Sequence, residues 1–146
     1  MLALIQRVSS ASVVIDGTIV GEIDSGIMLL LGIQKTDEEH LIAKLVSKLL
    51  DYRIFGDDKG HMNLSLRDVK GGLLIIPQFT IAADTKKGLR PSFSSAAPPD
   101  RAEGLYDKFV SCAQSEHHLV ETGKFGADMK VSLLNDGPVT FMLQVP

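Results

Sequence analysis

The sequence predicts an α+β fold with mostly antiparallel, barrel-like β structure, two packed helices and a single domain covering residues 1–146. Three observations lead to this prediction. Short apolar segments separated by glycine-containing turns are numerous, only two stretches repeat apolar residues at helical spacing, and strands and helices do not alternate regularly. A length of 146 residues with 45% hydrophobic content also suits one domain with a real core.

The first third of the chain is predicted to form consecutive strands. Apolar residues dominate 2–8 and 12–15, and Asp16-Gly17 is a strong hairpin signal before a further strand at 19–23. Residues 27–33 form an uninterrupted apolar run, which predicts a buried strand. Later strands are predicted at 52–55, 62–66, 73–81, 119–122 and 129–145, and the last two are expected to complete the sheet in antiparallel fashion.

The first helix is predicted to begin at a capping box, in which Glu39 follows Thr36 by three residues. The residues after this box repeat apolar side chains at helical spacing, and we expect the resulting face to pack on the sheet. The residues of this face are Leu41, Leu45, Val46, Leu49 and Leu50.

The second helix is predicted to start at residues 98–100 and to end near His117. Leu105, Phe109 and Cys112 fall on one of its faces, at i, i+4 and i+7. Since Cys112 is the only cysteine, an internal disulfide is excluded, and its place on a helix face favours a buried, inert thiol. Before this helix, residues 84–99 show little periodicity and predict a long ordered loop, a class that is often functional.

The charge of the chain limits its possible partners. A net charge of -3 and a pI near 5.7 provide no overall basic surface for wrapping nucleic acid, so any RNA must be recognised locally. Lys86, Lys87 and Arg90 in the long loop are the best candidates for phosphate contact. No apolar run approaches the roughly 20 residues of a membrane span, and the N-terminus lacks a signal-peptide layout. We therefore expect a cytoplasmic protein with no membrane partner.

The titratable residues do not form a recognisable metal or acid–base set. The four histidines lack metal-ligand spacing, and the adjacent His117 and His118 at a helix end favour a solvated cap. Asp84, Asp100 and Asp128 are expected to act as local caps or ion-pair partners. We expect neither a metal nor another cofactor.

Two short motifs carry most of the functional information. Residues 135–140 read Asn-Asp-Gly-Pro-Val-Thr, and a Gly-Pro pair can adopt the cis peptide at low cost. Placed between two strand-like segments, Gly137 and Pro138 would form a rigid, exposed tip, although an ordinary turn has the same composition. The second motif, residues 77–80, reads Pro-Gln-Phe-Thr after an apolar run, where a proline is expected only at a strand edge, start or bulge.

With residues 4–8, 90–93 and 99–103, these motifs resemble the D-aminoacyl-tRNA deacylase (D-tyrosyl-tRNA deacylase) family over essentially the whole chain. The resemblance implies an editing hydrolase that removes D-amino acids and glycine from mischarged tRNA and rejects L-aminoacyl-tRNA. It further implies a homodimer in which Gly137 and Pro138 reach into the partner's active site, with Arg7 fixing their orientation.

The same resemblance implies hydrolysis assisted by the ribose hydroxyl of the substrate, the terminal aminoacyl-adenosine of tRNA. Gln78, Phe79 and Thr80 are then the candidates that stabilise the developing oxyanion through preorganised donors. Thr80 could also be a nucleophile, but no base lies close to it in sequence, so a structural role is favoured. Ala102 would line the amino-acid side of the pocket. Phe125 and Met129 would enclose the terminal adenine, since aromatic rings and thioethers suit flat bases.

Two alternatives remain open at this stage. Pro77 stands where the family usually has serine, and proline there resembles a related branch that edits L-alanine on the wrong tRNA. Proline has no backbone N–H, so position 77 cannot be a backbone donor. A noncatalytic module that binds an RNA end is the alternative of another class, and it predicts binding without turnover.

Overall fold

The β structure of the protein is organised around its first strand. The computed structural model describes residues 1–146, and β1 spans 14 of them. One edge of β1 pairs with β8 along its length, while its other edge pairs with β3 in its first half and with β2 in its second half. The elements in chain order are β1 (Leu2–Ile15), β2 (Thr18–Ile23), β3 (Gly26–Gly32), α1 (Leu41–Asp51), β4 (Phe55–Gly56), β5 (Met62–Leu64), α2 (Leu66–Val69), β6 (Gly72–Pro77), a 3-10 turn (Phe79–Ala82), α3 (Pro99–Glu116), β7 (Val120–Thr122) and β8 (Lys130–Leu143).

The main sheet curls until it nearly closes. Pairing runs from β2 through β1, β3 and β6 to β7, and the two ends of this path, β2 and β7, approach each other. A Cβ built on Gly21 of β2 would lie 2.8 Å from the Thr122 carbonyl oxygen of β7, so only glycine permits this approach. Inside the curl lies a small core of seven buried residues: Val8, Ala11, Val13, Ile23, Met28, Leu74 and Ile76.

The outer face of the sheet carries the larger core, in which 24 buried residues join the strands to α1 and α3. The central strands supply both cores. Leu29 and Ile75 face the helices, whereas Met28 and Leu74 face the interior of the curl. Strands buried on both faces read as continuous apolar runs instead of alternating ones, which explains the composition of β3 and β6.

The predicted α+β, barrel-like fold with two packed helices is confirmed. α3 begins at Pro99 and ends at Glu116, as expected, with Leu105 and Phe109 buried on its inner face. Cys112 is partly buried, and burial together with the nearby Glu116 raises the pKa of its thiol, so the reactive thiolate is disfavoured. None of the helices combines the length and the apolar character needed to span a bilayer.

The first helix starts later than its predicted capping box. α1 begins at Leu41, and neither Thr36 nor Glu39 caps it. The intervening segment is held elsewhere, because the Asp37 carboxylate accepts a hydrogen bond from the Gln34 N–H (2.6 Å) and pairs with the Met1 ammonium. The predicted box was therefore wrong.

A different capping box, unrecognised in the sequence, lies in the segment predicted as a strand at 62–66. β5 ends at Leu64, and Ser65 and Asp68 cap a third, short helix, α2, reciprocally. The strand predicted at 52–55 is likewise reduced to Phe55–Gly56. At the end of β5, the hydrogen bonds of the Ser65 and Asp68 side chains to the backbone stabilise a helix start and so end the strand.

Two other predictions about strands were wrong: where the strand at 73–81 ends, and that the segment at 119–122 joins the sheet in antiparallel fashion. The strand expected over 73–81 stops at Pro77, since proline cannot donate to the ladder, and the chain continues as the 3-10 turn. The segment at 119–122 pairs parallel to β6, and β6 itself is parallel to β3. Each parallel pair is joined by a helical crossover, which returns the chain to the same end of the sheet.

Candidate active site

The predicted catalytic motif lies at the edge of an apolar cavity of about 480 Å³. The cavity is formed where β6 ends, where the long loop returns, and where α3 begins. Its size and its largely apolar wall suit a small organic group or a nucleoside. The lining includes Pro77, Phe79, Phe93, Ala102, Phe125 and Gly126.

Three phenylalanines make the cavity aromatic. The Phe79 ring is 56% exposed and packs against Phe93, with 4.9 Å between ring centroids. Phe125 packs against Tyr106 at 6.0 Å, and the buried Tyr106 hydroxyl donates to the Ile75 carbonyl oxygen (3.1 Å). Burial raises the pKa of Tyr106, so it stays a neutral anchor behind Phe125. Exposed aromatic faces on a fixed support are suited to stacking against a flat base.

The 3-10 turn after β6 begins at Phe79 of the cavity wall and carries backbone N–H donors. The Gln78 N–H is occupied, since it donates to the Leu31 carbonyl oxygen (2.9 Å). The following N–H groups, of Phe79 and Thr80, belong to the first turn and have no acceptor within it. Adjacent amides of this kind are the usual components of an oxyanion-binding site.

The Thr80 hydroxyl has an amide as its side-chain neighbour. Gln78 Nε2 donates to Thr80 Oγ1 across the start of the turn. A neutral amide cannot take a proton at physiological pH, so this contact orients the hydroxyl without activating it. The arrangement favours a structural Thr80.

The Asn-Asp-Gly-Pro-Val-Thr motif is a bulge within β8. Asn135 still pairs with Val8 and Thr140 pairs with Gln6, so the four residues 136–139 lie opposite Arg7 alone. The strand therefore does not turn back on itself, and residues 136–138 stand out from the sheet and are exposed. The Gly137–Pro138 peptide bond is cis, and Gly137 has a φ of +143°, in a region that favours glycine.

Two side chains hold the base of this bulge. Arg7 Nε donates to the Asp136 carbonyl oxygen (2.9 Å), while Arg7 Nη1 donates to the Ile54 carbonyl oxygen (2.7 Å). Asn135 Oδ1 accepts from the Val139 N–H (2.7 Å), and its Nδ2 donates to Thr140 Oγ1 (3.0 Å). Asn135 was not assigned a role from the sequence. Its position at the start of the motif, with an amide that bonds backbone locally, was the available signal.

Six of the nine predicted site residues fall into two groups. Phe79, Ala102 and Phe125 line the cavity together, whereas Gln78 and Thr80 flank Phe79 in the chain without lining it. Arg7, Gly137 and Pro138 form the bulge and do not line the cavity of their own chain.

Met129 also does not line the cavity. Its sulfur accepts a hydrogen bond from the Lys124 N–H (3.4 Å), and a Cβ built on Gly123 would lie 2.6 Å from it. Met129 thus supports the turn that leads to Phe125.

A larger groove of about 760 Å³ lies elsewhere, beside β1, β2, β7 and β8. It contains none of the predicted site residues and is lined by Glu22, Asp24 and Glu121. Carboxylates would repel a nucleic acid, so the smaller aromatic cavity is the better candidate.

Comparison with known proteins identifies the family. The model of the D-Tyr-tRNA(Tyr) deacylase family matches residues 4–144. The chain belongs to this family. It is 63% identical over 145 residues to the D-aminoacyl-tRNA deacylase of Cellvibrio japonicus (strain Ueda107), and 58% identical over 144 residues to that of Teredinibacter turnerae (strain ATCC 39867 / T7901). Each match covers 99% of both chains.

Solved structures of similar proteins support the fold of this family member. A structure described as c-Myc DNA Unwinding Element Binding Protein has a TM-score of 0.95 and 39% identity, and the match covers 100% of this chain and 99% of that one. A second, described as a probable eukaryotic D-amino acid tRNA deacylase, has a TM-score of 0.87 and 17% identity, with coverage of 99% and 98%. At that identity the second match supports the fold alone.

Proposed function

We propose that this protein is an aminoacyl-tRNA editing hydrolase that removes D-amino acids and glycine from mischarged tRNA in the cytoplasm. The observation that carries the proposal is the aromatic cavity whose wall includes Phe79, the first residue of a 3-10 turn in which the Phe79 and Thr80 N–H groups have no acceptor. The cavity has the size and character for the terminal aminoacyl-adenosine, and the amides are candidates for binding the oxyanion formed during ester hydrolysis. The names of the relatives are consistent with this activity.

The chemistry is proposed to be assisted by the substrate. An aminoacyl ester is an activated bond, and the free ribose hydroxyl beside it is proposed to assist its hydrolysis. The protein then needs only to position the ester and to stabilise the negative charge that develops on its carbonyl oxygen. The pairing of Thr80 with the Gln78 amide supports this mechanism, since the hydroxyl has no base as its side-chain neighbour. Each well-placed donor contributes a rate factor of about a hundred or more.

Chiral selection is proposed to work by exclusion. Gly137 and Pro138 would meet the Cβ of an L-residue, whereas the side chain of a D-residue points away and glycine has none to reject. Arg7 and Asn135 hold the base of the bulge, which gives the barrier a defined position.

The barrier is proposed to act in the partner subunit of a homodimer. Gly137 and Pro138 are exposed and lie outside the cavity of their own chain. Large exposed apolar side chains flank them along β8, namely Leu134, Phe141 and Met142. Contiguous exposed apolar residues mark interaction sites, and a two-fold interface would deliver both tips reciprocally.

Within the cavity, Ala102 is proposed to face the amino acid and Phe125 the adenine, with Met129 behind the turn that carries Phe125. Pro77 also lines this cavity, which keeps an L-alanyl-tRNA editor as a second candidate. Comparing D-alanyl-tRNA with L-alanyl-tRNA as substrates separates the two activities.

The proposed function is tested by measuring turnover of matched D-tyrosyl-tRNA, L-tyrosyl-tRNA and glycyl-tRNA. We expect rapid deacylation of the D- and glycyl-tRNAs and only the uncatalysed rate for the L-ester. Equal turnover of the two tyrosyl esters would refute chiral editing. Tight binding with no turnover of any ester would favour a noncatalytic RNA-end binding module.

A further inference from the structure

Residues 85–91, here called the cationic loop, precede Phe93 of the cavity wall and have no role in the proposed chemistry. Lys86, Lys87 and Arg90 lie within five residues, and all three are exposed. None of them takes part in an ion pair within the chain. The nearest acidic residue in sequence, Asp84, uses its carboxylate to accept a hydrogen bond from the Lys86 N–H (2.9 Å). These cations are therefore free to meet an external anion.

The loop stands on a fixed base. Asp84 and Ser92 exchange two backbone hydrogen bonds, of 2.7 and 3.0 Å, which pinch the chain on either side of residues 85–91. Beyond this pair, the Ser95 hydroxyl donates to the Ala82 carbonyl oxygen (2.6 Å) and holds the second half of the long loop to the 3-10 turn. The cations are consequently presented from a defined place and not from a free tether.

This base is directly connected to the cavity. Phe93 follows Ser92 and packs against Phe79 in the cavity wall. Three residues of extended chain span at most about 11 Å, so the Arg90 backbone stays within that distance of Phe93. An anion bound by the Arg90 side chain can therefore lie close to the occupant of the cavity.

The charge of the whole chain makes this local cluster distinctive. The net charge is -3, so the protein as a whole does not attract a polyanion. Lysine and arginine contacts to phosphates fix the position of a nucleic acid without reading its sequence. We propose that the cationic loop binds phosphates of the single-stranded tRNA 3′ end. These are the phosphates next to the terminal nucleoside that occupies the cavity. This inference rests on the proposed function.

The test compares three D-tyrosyl esters: adenosine, which has no phosphate, the trinucleotide CCA, and full tRNA. Replacing all three cations (Lys86→Ala, Lys87→Ala, Arg90→Ala) should lower kcat/KM about tenfold or more on the trinucleotide and on tRNA, because the phosphates are then no longer neutralised. The adenosine ester should be hydrolysed as before. A triple variant on another surface, Lys44→Ala, Lys48→Ala and Lys59→Ala, changes the net charge equally and should leave all three rates unchanged.

Binding of uncharged CCA and of uncharged tRNA adds a readout that does not need catalysis. For wild-type protein, log Kd should rise with log salt, and the triple loop variant should reduce that slope by roughly 0.7 for each phosphate that the removed cations had neutralised. An unchanged slope would overturn the proposal. A weaker affinity for tRNA with an unchanged affinity for the trinucleotide would place the cations on the acceptor stem and overturn it as well. A slower rate on the adenosine ester would assign the loop a role in shaping the cavity instead.

Failure of the proposed function has a different signature. Wild-type protein would then hydrolyse none of the three esters, while the salt dependence of CCA binding would still decide whether the cationic loop contacts phosphate.

Discussion

Thr80 and Gln78 form a side-chain contact across the start of the turn that carries the proposed oxyanion site. Gln78 Nε2 donates to Thr80 Oγ1, while the backbone N–H of Gln78 is used by the Leu31 carbonyl oxygen. The side chains of the motif therefore hold the 3-10 turn in shape, and its first two N–H groups face outward from it. On this arrangement we propose that the backbone of the motif, and not its hydroxyl, is the catalytic feature.

Thr80→Ala should consequently retain kcat/KM on D-tyrosyl-tRNA to within about tenfold, because the substitution removes a positioning hydrogen bond but no nucleophile. Steady-state deacylation by the folded variant checks this. A fall to the uncatalysed rate, or an acyl-enzyme trapped on Thr80, would contradict the assignment.

The complementary change is made on the substrate. With the amino acid held on the 3′ position, replacing the terminal 2′-hydroxyl by hydrogen should abolish turnover and leave binding largely intact.

His117 is a residue whose environment differs from the solvated cap that was predicted. It is buried, and its Nε2 lies 2.7 Å from the Gly71 carbonyl oxygen, so it ties the end of α3 to the start of β6. Burial lowers its pKa, the hydrogen bond to Gly71 opposes this shift, and the nearby His118 and Arg67 lower the pKa further. The fold thus favours the neutral imidazole.

Stability should therefore fall as the pH drops below about 6.5, the ordinary histidine pKa, because the unfolded chain then binds a proton that the folded chain resists. The decrease should level off below the folded-state pKa, where both states are protonated. Urea unfolding between pH 5 and 7.5 measures it. His117→Gln, which keeps a donor for Gly71, should flatten this pH dependence, while His118→Gln, at an exposed position, should flatten it much less.

At the scale of elements, the starts of β3 and β6 approach so closely that Gly26 has no room for a side chain. A Cβ built on Gly26 would lie 1.9 Å from the Gly72 carbonyl oxygen. Gly26 and Gly72 are partners in the parallel pairing of β3 with β6, so neither strand can move away from the other without losing this register. The pairing of β3 with β6 therefore requires glycine at position 26.

Gly26→Ala should therefore lower the free energy of unfolding by at least about 2 kcal/mol, through overpacking at the start of both strands. The matched control is Gly104→Ala within α3, where an added Cβ meets nothing within 4 Å. Removing a glycine from a helix interior should raise stability by about 0.5–1 kcal/mol. Chemical denaturation of the two variants checks both values, and similar effects of the two substitutions would contradict the steric argument.

The bulge of β8 is the element to which we assign chiral selection in the proposal. Its base stays in register with β1 on both sides, which gives the exposed residues 136–138 a rigid support. Because the cavity is built by the 3-10 turn, the long loop and α3, the two parts of the proposed site lie on different elements.

At the scale of the whole molecule, we propose that a second chain supplies the bulge that completes the site. The prediction is tested in mixed dimers that pair a wild-type chain with a chain carrying Phe79→Ala and Pro138→Ala. Phe79→Ala removes a ring of the cavity wall, and a homodimer of Phe79→Ala chains, which should not deacylate D-tyrosyl-tRNA, checks that the altered cavity is inactive. The surviving wild-type cavity of the mixed dimer then receives the altered tip. Such dimers should still deacylate D-tyrosyl-tRNA but should lose rejection of L-tyrosyl-tRNA.

The control is a mixed dimer in which the altered chain carries Phe79→Ala alone, and this dimer should remain selective. If the doubly altered partner also leaves full rejection of L-substrates, or if a stable monomer proves fully selective, the tip acts within its own chain.

Sequence alone determined the class of the fold, the second helix, the β2 and β3 strands and the two short motifs, whereas the strands predicted at 2–8 and 12–15 are one continuous strand, β1. These features depend on interactions over a few residues: apolar spacing in α3, the Asp16-Gly17 turn, and the backbone limits of proline and glycine. The motif at 77–80 and the motif at 135–140 could be found for the same reason.

Tertiary structure decided the remainder. The start of α1, the parallel pairing of β6 and β7 and the burial of His117 all depend on partners distant in the chain or on register between strands. Sequence patterns also could not place Phe79, Ala102 and Phe125 in one cavity and the Gly137–Pro138 bulge outside it. Local signals record the preferences of a few neighbouring residues, whereas these features exist only once the sheet has curled and brought distant segments into contact.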